Sequence, residues 1–186
     1  MKRTFDVVLS LIVLAFLSVP MLLIALLVRL TSSGPALYWS NRVGKGNRLF
    51  KMPKFRTMRV ETPPMATHLM TEPEKFLTPI GGFLRKTSLD ELPQLISILR
   101  GDMSFVGPRP ALFNQEDLIY LRTQKGVHNI TPGLTGWAQV NGRDELPIPI
   151  KVDYDYQYLN SRSLLLDLKI IGMTALQAVA GKGVSH

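Results

Sequence analysis

Asp90 and Glu91 stand side by side in TSLDELPQL, residues 87–95, and RGDMSFVGPRP follows at residues 100–110. Adjacent acids allow a division of labour: one carboxylate attacks or holds a metal while its neighbour handles a proton or orients the ion. Arg109 lies between Pro108 and Pro110, so the backbone that carries it is stiff on both sides. A guanidinium fixed in that way suits a phosphate. The same residues also have a purely structural reading, because Ser88 and Glu91 have capping-box spacing and Asp90 would favour a helix N-terminus. Local pattern leaves both readings open.

Two further segments carry chemistry-bearing patterns. TPGLTGWAQVNGR, residues 131–143, sets Gly133, Gly136 and Gly142 around Trp137, which fits either a nucleotide or sugar pocket or a tight turn over a buried ring. Gly44 and Gly46 invite a phosphate-loop reading, but neither the Walker spacing nor G-x-G-x-x-G is present, so a hairpin turn is expected. Lys54 and Arg56, just beyond that turn, are expected to face a phosphate or lipid headgroups. The chain has no cysteine, which excludes disulfide and thiolate chemistry, and its three histidines are too far apart in sequence for a zinc cluster.

The 186 residues suffice for one domain with an extra element, and the net charge is +8. The excess is N-terminal: the first 60 residues hold ten of the 22 Lys and Arg against a single acid, Asp6. Those bases flank an apolar run from Val7 to Val28, a combination that points to anionic lipid headgroups and away from nucleic acid. At about 1.5 Å per residue a helical run of this length crosses a hydrocarbon core about 30 Å thick. The run exceeds the apolar core of a secretory signal, and no small-residue cleavage site follows. Pro20 interrupts it with Ser18 close by, and Lys2 and Arg3 on one side face Arg29, Arg42, Lys45 and Arg48 on the other. The residues alone leave a spanning helix and a hairpin re-entering its own side open, both with a cytoplasmic C-terminal part.

The remaining elements must present Asp90, Glu91 and Arg109 together. Residues 38–58 read as two short strands around a turn at Gly44 to Asn47. Residues 61–79, with Pro63, Pro64, Pro73 and Pro79, read as a mobile loop. Pro93 should restart a helix whose Leu95, Ile96 and Leu99 face a core, with Gly101 as its C-cap. Further helices are expected over 114–124 and 160–180, some of them lying in the membrane surface.

TSLDELPQL, GDMSFVGPRP, KFRTM and PGLTGWAQVNGR, in this order behind an apolar N-terminus, resemble the bacterial sugar transferase family, and among its members the small monotopic phosphoglycosyl transferases. The resemblance covers Lys2 to about Val184. It implies a mixed α/β fold: a compact cytoplasmic domain (34–186) with short strands and amphipathic membrane-surface helices, behind a proline-broken re-entrant membrane helix (1–33). Ser18 and Pro20 would mark the break, although the Ser-Pro pair common in relatives is Ser18-Val19-Pro20 here. The implied location is the bacterial inner membrane, with the catalytic domain facing the cytoplasm.

The implied reaction moves a sugar-1-phosphate from a UDP-sugar, expected to be N-acetylated, to polyprenyl (undecaprenyl) phosphate, releasing UMP. Asp90 would be the nucleophile of a covalent, ping-pong route and a ligand of Mg2+, with Glu91 as partner acid. Arg85 and Arg109 would bind phosphate, and Arg143 the nucleotide. With an ordinary pKa of about 3.9, an Asp is ionised at neutral pH and needs no general base to attack. Expected partners are the UDP-sugar, the polyprenyl phosphate and the bilayer; no nucleic acid is expected, and a homo-oligomer is left open. The alternatives are a non-catalytic membrane scaffold and a UDP-sugar diphosphatase, from which lipid-dependent UMP release distinguishes a transferase.

Overall fold

A computed structural model describes residues 1–62, 72–142 and 146–179. The chain opens with α1 (Lys2–Thr31), then folds a mixed α/β unit against it. Among the described residues α1 is the one helix long and apolar enough to cross a membrane, and most of its side chains are exposed. The break expected at Ser18 and Pro20 is corrected: the helix continues through Pro20 without interruption. Proline removes one backbone donor without having to end a helix. Ser18 Oγ donates to Ala15 O at 3.1 Å, on the exposed middle stretch that includes Phe16 and Val19.

Both ends of α1 dock on the same α/β unit. Near its start Lys2 Nζ meets Asp167 Oδ2 at 2.5 Å, Arg3 donates to Ile98 O and Leu99 O at 2.5 and 2.6 Å, and buried Asp6 accepts from Phe105 N at 3.2 Å. Arg3 thereby satisfies carbonyls at the end of α3 (Gln94–Arg100), where helices leave acceptors without intrahelical partners. Near the other end Ile24 and Val28 form a buried cluster with Phe55 and Leu84, joined by Leu89 and Leu92 on either side of the acid pair. Each such aliphatic side chain contributes roughly 2 kcal/mol by burial.

The expected hairpin is present. β1 (Leu37–Val43) and β2 (Leu49–Phe55) pair antiparallel around a turn at Lys45–Asn47. Sheet order is β2-β1-β4, with β4 at Ala111–Leu112, so Pro53 lies in an edge strand that tolerates its missing donor. A separate parallel pair joins β3 (Ser104–Val106) to β5 (Gly133–Thr135). A Cβ on Gly133 would lie 2.1 Å from Gly107 N, so these two glycines let backbone meet backbone.

Gly101 ends α3 in the left-handed conformation at φ 93°, as expected of its C-cap. The buried face of α3 is Gln94, Leu95, Ser97 and Ile98, so the expected Ile96 and Leu99 sit at its margins. The expected helix over 114–124 forms as α4 (Glu116–Gln124). A helix the sequence did not suggest, α6 (Ile148–Ser161), comes next, and the apolar helix expected over 160–180 forms as α7 (Leu164–Val179), its start corrected to Leu164. Ser163 explains the restart, since its Oγ accepts Leu166 N at 3.2 Å and its carbonyl accepts Asp167 N at 3.0 Å. Short helices α2 (Gly81–Lys86) and α5 (Trp137–Val140) complete the α-helices among the described residues. Of the loop expected over 61–79, residues 63–71 lie outside the described residues, and Pro73–Phe76 form a 3-10 turn.

Candidate active site

The acid pair sits on one 3-10 turn, Leu89–Glu91. The capping-box reading fails, because Ser88 makes no side-chain cap and adopts a left-handed φ of 57°. That conformation costs a non-glycine residue on the order of 1 kcal/mol. It reverses the chain after α2, so that the next two acids turn toward β2. Backbone bonds from Ser88 N to Arg85 O (3.0 Å) and Glu91 N to Ser88 O (3.2 Å) hold the reversal.

Lys54 on β2 meets both acids. Its Nζ lies 2.7 Å from Glu91 Oε1 and 3.9 Å from Asp90 Oδ2, so it hydrogen-bonds Glu91 and acts on Asp90 through charge alone. Arg109 Nη2 reaches the same Glu91 oxygen at 3.0 Å. Burial raises the Glu91 pKa, but Lys54 and then Arg109 outweigh it and hold this carboxyl well below the usual range. Asp90, only 7% exposed, goes the other way: burial raises its pKa, opposed chiefly by Lys54 and also by Arg85 and Arg109, while the Glu91 charge adds to the rise. Glu91 is therefore fixed as an anion among cations, and Asp90 is the costly, less satisfied carboxylate.

Arg85 near the end of α2 donates from Nε to Thr57 Oγ1 at 3.0 Å and acts on Asp90 electrostatically. Arg109 is held from behind its own peptide. Arg122 of α4 donates from Nη1 to Arg109 O at 2.8 Å while its Nε and Nη2 grip Asp155 Oδ2 of α6 at 2.9 and 2.6 Å. Arg42 of β1 donates to Pro110 O at 3.2 Å. The rigidity expected of the Pro-Arg-Pro segment thus has tertiary support as well as proline stiffness.

Of the residues singled out in sequence, Asp90, Glu91, Arg85 and Arg109 come together. Arg143 lies outside the described residues. Ser18 and Pro20 lie on the exposed middle of α1. Of the two bases after the hairpin turn, Lys54 turns to the acids whereas Arg56 is buried against backbone carbonyls at residues 32–34. Arg122, Asp155 and Thr57 were missed, because their partners are remote in sequence. Trp137 is half-buried, its Nε1 donating to Gln157 Oε1 at 3.2 Å, and Gly133 serves strand crossing, so this motif builds framework as well as surface.

Among the described residues no group of three or more His, Cys, Asp or Glu could hold a metal. The carboxylates still fit magnesium, which commonly takes one or two carboxylates, keeps several waters and draws other ligands from substrate phosphates. Asp90 Oδ2, without a hydrogen bond from Lys54, has the donor chemistry for such a role.

Fold and site together define an α/β domain, fronted by a long apolar helix, with a carboxylate pair, Asp90 buried and Glu91 half-buried, ringed by cations suited to phosphate. The bacterial sugar transferase family matches residues 1–181, and the chain belongs to that family. It is 38% identical to an uncharacterized sugar transferase, EpsL, of Bacillus subtilis (strain 168), across all of this chain and 91% of the relative. It is also 38% identical to the UDP-glucose:undecaprenyl-phosphate glucose-1-phosphate transferase of Escherichia coli (strain K12), across 98% of this chain but 41% of that protein. Identity is 36% to a UDP-N-acetylgalactosamine-undecaprenyl-phosphate N-acetylgalactosaminephosphotransferase of Aeromonas hydrophila, across 98% of this chain and 44% of that one. The chain therefore spans under half of the two relatives whose names state a reaction.

Proposed function

We propose that this protein transfers a sugar-1-phosphate from a UDP-sugar to undecaprenyl phosphate, through a covalent phosphosugar on Asp90. The observation that carries the reading is the unequal acid pair: Glu91 is neutralised by Lys54 and Arg109, while buried Asp90 keeps a raised pKa and makes no hydrogen bond to Lys54. Kinship across 98% of this chain with transferases whose names state a UDP-sugar and undecaprenyl phosphate supports the substrate class.

In the first half-reaction an Asp90 carboxylate oxygen attacks the β-phosphorus of the UDP-sugar. The bond from that phosphorus to the bridging oxygen breaks, and UMP leaves with the bond's electron pair. In the second, an oxygen of undecaprenyl phosphate attacks the same phosphorus and displaces the Asp90 carboxylate, giving the lipid-diphosphate sugar. Arg85 and Arg109 lie where they can offset phosphate charge, which matters because an anion must approach a dianion. A magnesium ion held by Asp90 would supply further neutralisation of the diphosphate. Glu91, held so far below the usual carboxylate range, is a poor proton acceptor at neutral pH and suits the orienting role instead.

The re-entrant reading of α1 draws support from its two docked ends. Lys2, Arg3 and Asp6 bond to the α/β unit at one end, and Ile24 and Val28 pack on it at the other. A helix whose ends both rest on one cytoplasmic body enters and leaves the bilayer on the same side, with Phe16 to Pro20 deepest. The catalytic domain then stands at the inner face, where the lipid phosphate lies.

The test is UMP release by purified protein with magnesium, with and without undecaprenyl phosphate, beside Asp90→Asn. Lipid-dependent release lost in the variant is expected; lipid-independent release would make the protein a hydrolase. Setting UDP-N-acetylgalactosamine against UDP-glucose decides whether the donor is N-acetylated, as we propose.

A further inference from the structure

The chain leaves α1 at Ser32, and one buried cation grips this exit. Arg56, immediately after β2, is 5% exposed. Its Nη2 donates to Ser32 O at 3.0 Å, Ser32 Oγ at 2.9 Å and Gly34 O at 3.3 Å, and its Nη1 donates to Ser33 O. Its amide donates to Ala36 O at 2.9 Å. Every one of these acceptors is neutral. Burying a guanidinium among neutral acceptors is costly, and Arg29 nearby adds to the cost while the Glu61 charge offsets part of it, so packing alone gives little reason for an arginine here. The carbonyls at and just past a helix C-terminus do attract a cation, and these belong to the segment that leaves the apolar helix.

The neighbours of Arg56 all serve the site. Lys54 holds Glu91 at 2.7 Å, and Thr57 Oγ1 accepts from Arg85 Nε at 3.0 Å. Lys54 is itself fixed by strand pairing opposite Tyr38, independently of the Arg56 guanidinium. Four consecutive residues, 54–57, therefore join the exit of α1 to the acid pair and to Arg85.

The structure assigns Arg56 a positioning role: it locks the catalytic domain to the exit of the apolar helix and so sets the height of Asp90 over the bilayer surface. This rests on the transfer reading above. The two half-reactions depend on that height unequally. A UDP-sugar arrives from solution and reaches Asp90 whatever the tilt of the domain, whereas the lipid phosphate is confined to the headgroup plane. Loss of the clamp should therefore spare the first half-reaction and impair the second.

The experiment uses full-length protein in nanodiscs of anionic phospholipid, comparing wild type with Arg56→Gln and Arg56→Lys. The first half-reaction is followed by exchange of labelled UMP into UDP-sugar without acceptor, the second by transfer to undecaprenyl phosphate. For Arg56→Gln we expect exchange within about twofold of wild type and transfer reduced about tenfold or more, through a raised KM for the lipid. Arg56→Lys, which keeps the charge and part of the carbonyl contact, should recover part of that loss and serves alone if the glutamine variant does not fold. Parallel loss of exchange and transfer would reduce Arg56 to a structural residue, and unchanged transfer would remove its role; either overturns the inference. Wild-type protein that exchanges no UMP would sink the transfer reading itself, and the inference with it.

Discussion

Asp90 combines burial, a raised pKa and a charge-only contact with Lys54, and each has a measurable result. A carboxyl whose folded pKa exceeds its unfolded value loses stability as pH rises between the two, and the folded state bears the full cost above them. Asp90→Asn removes that cost, so the variant should melt higher than wild type at pH 7.5, with the gap closing as pH falls below the ordinary Asp range; calorimetry across pH checks it. UMP exchange should vanish in the same variant. Lys54 opposes the rise most strongly, so Lys54→Met should move the acidic limb of the exchange rate to higher pH. An unmoved limb would show that another group sets it. Glu91 behaves oppositely: its depressed pKa stabilises the fold above the unfolded value, and this stability is lost as pH falls toward the folded one.

Among the elements, α4 and α6 act together through Arg122 and Asp155, both buried. Asp155→Asn leaves a buried guanidinium without its counter-charge, and such losses run to about 3–5 kcal/mol. Urea unfolding should show a loss of that order, together with a raised KM for the UDP-sugar as Arg109 loses its backbone support. The sequence announced some elements and hid others for physical reasons. Turn glycines between short β-prone runs made β1 and β2 legible, and Gly101 marked the end of α3. The DYDYQY stretch of α6 hid its helix, because polar residues dominate it and Val152, Asp155 and Tyr158 form its buried side. The acid pair and Arg109 were legible from local pattern. Arg122, Asp155 and Thr57 were not, and Lys54 was legible as a base but not as the partner of Glu91, since a cation on a strand does not declare which distant acid it will face.

For the molecule as a whole, the cysteine-free sequence permits a direct test of topology. Thr4→Cys and Leu49→Cys place single thiols at exposed positions near the start of α1 and on the α/β unit. If α1 re-enters its own side, a membrane-impermeant maleimide should label both in inside-out vesicles and neither in right-side-out ones. Opposite labelling of the two would establish a spanning helix instead.

Lys2 and Asp167 are 165 residues apart, and Tyr158 of α6 donates to the same acid at 2.6 Å. During synthesis the apolar helix therefore reaches the membrane long before its polar anchor point exists. Until α7 emerges, Lys2 must wait in water or among headgroups, whereas Arg3 and Asp6 find their partners earlier, at residues 98–105. Maturation thus has an order, insertion first and the Lys2–Asp167 contact last, and a nascent chain stalled before residue 164 should leave the first residues of α1 more open to protease than a chain carried through α7.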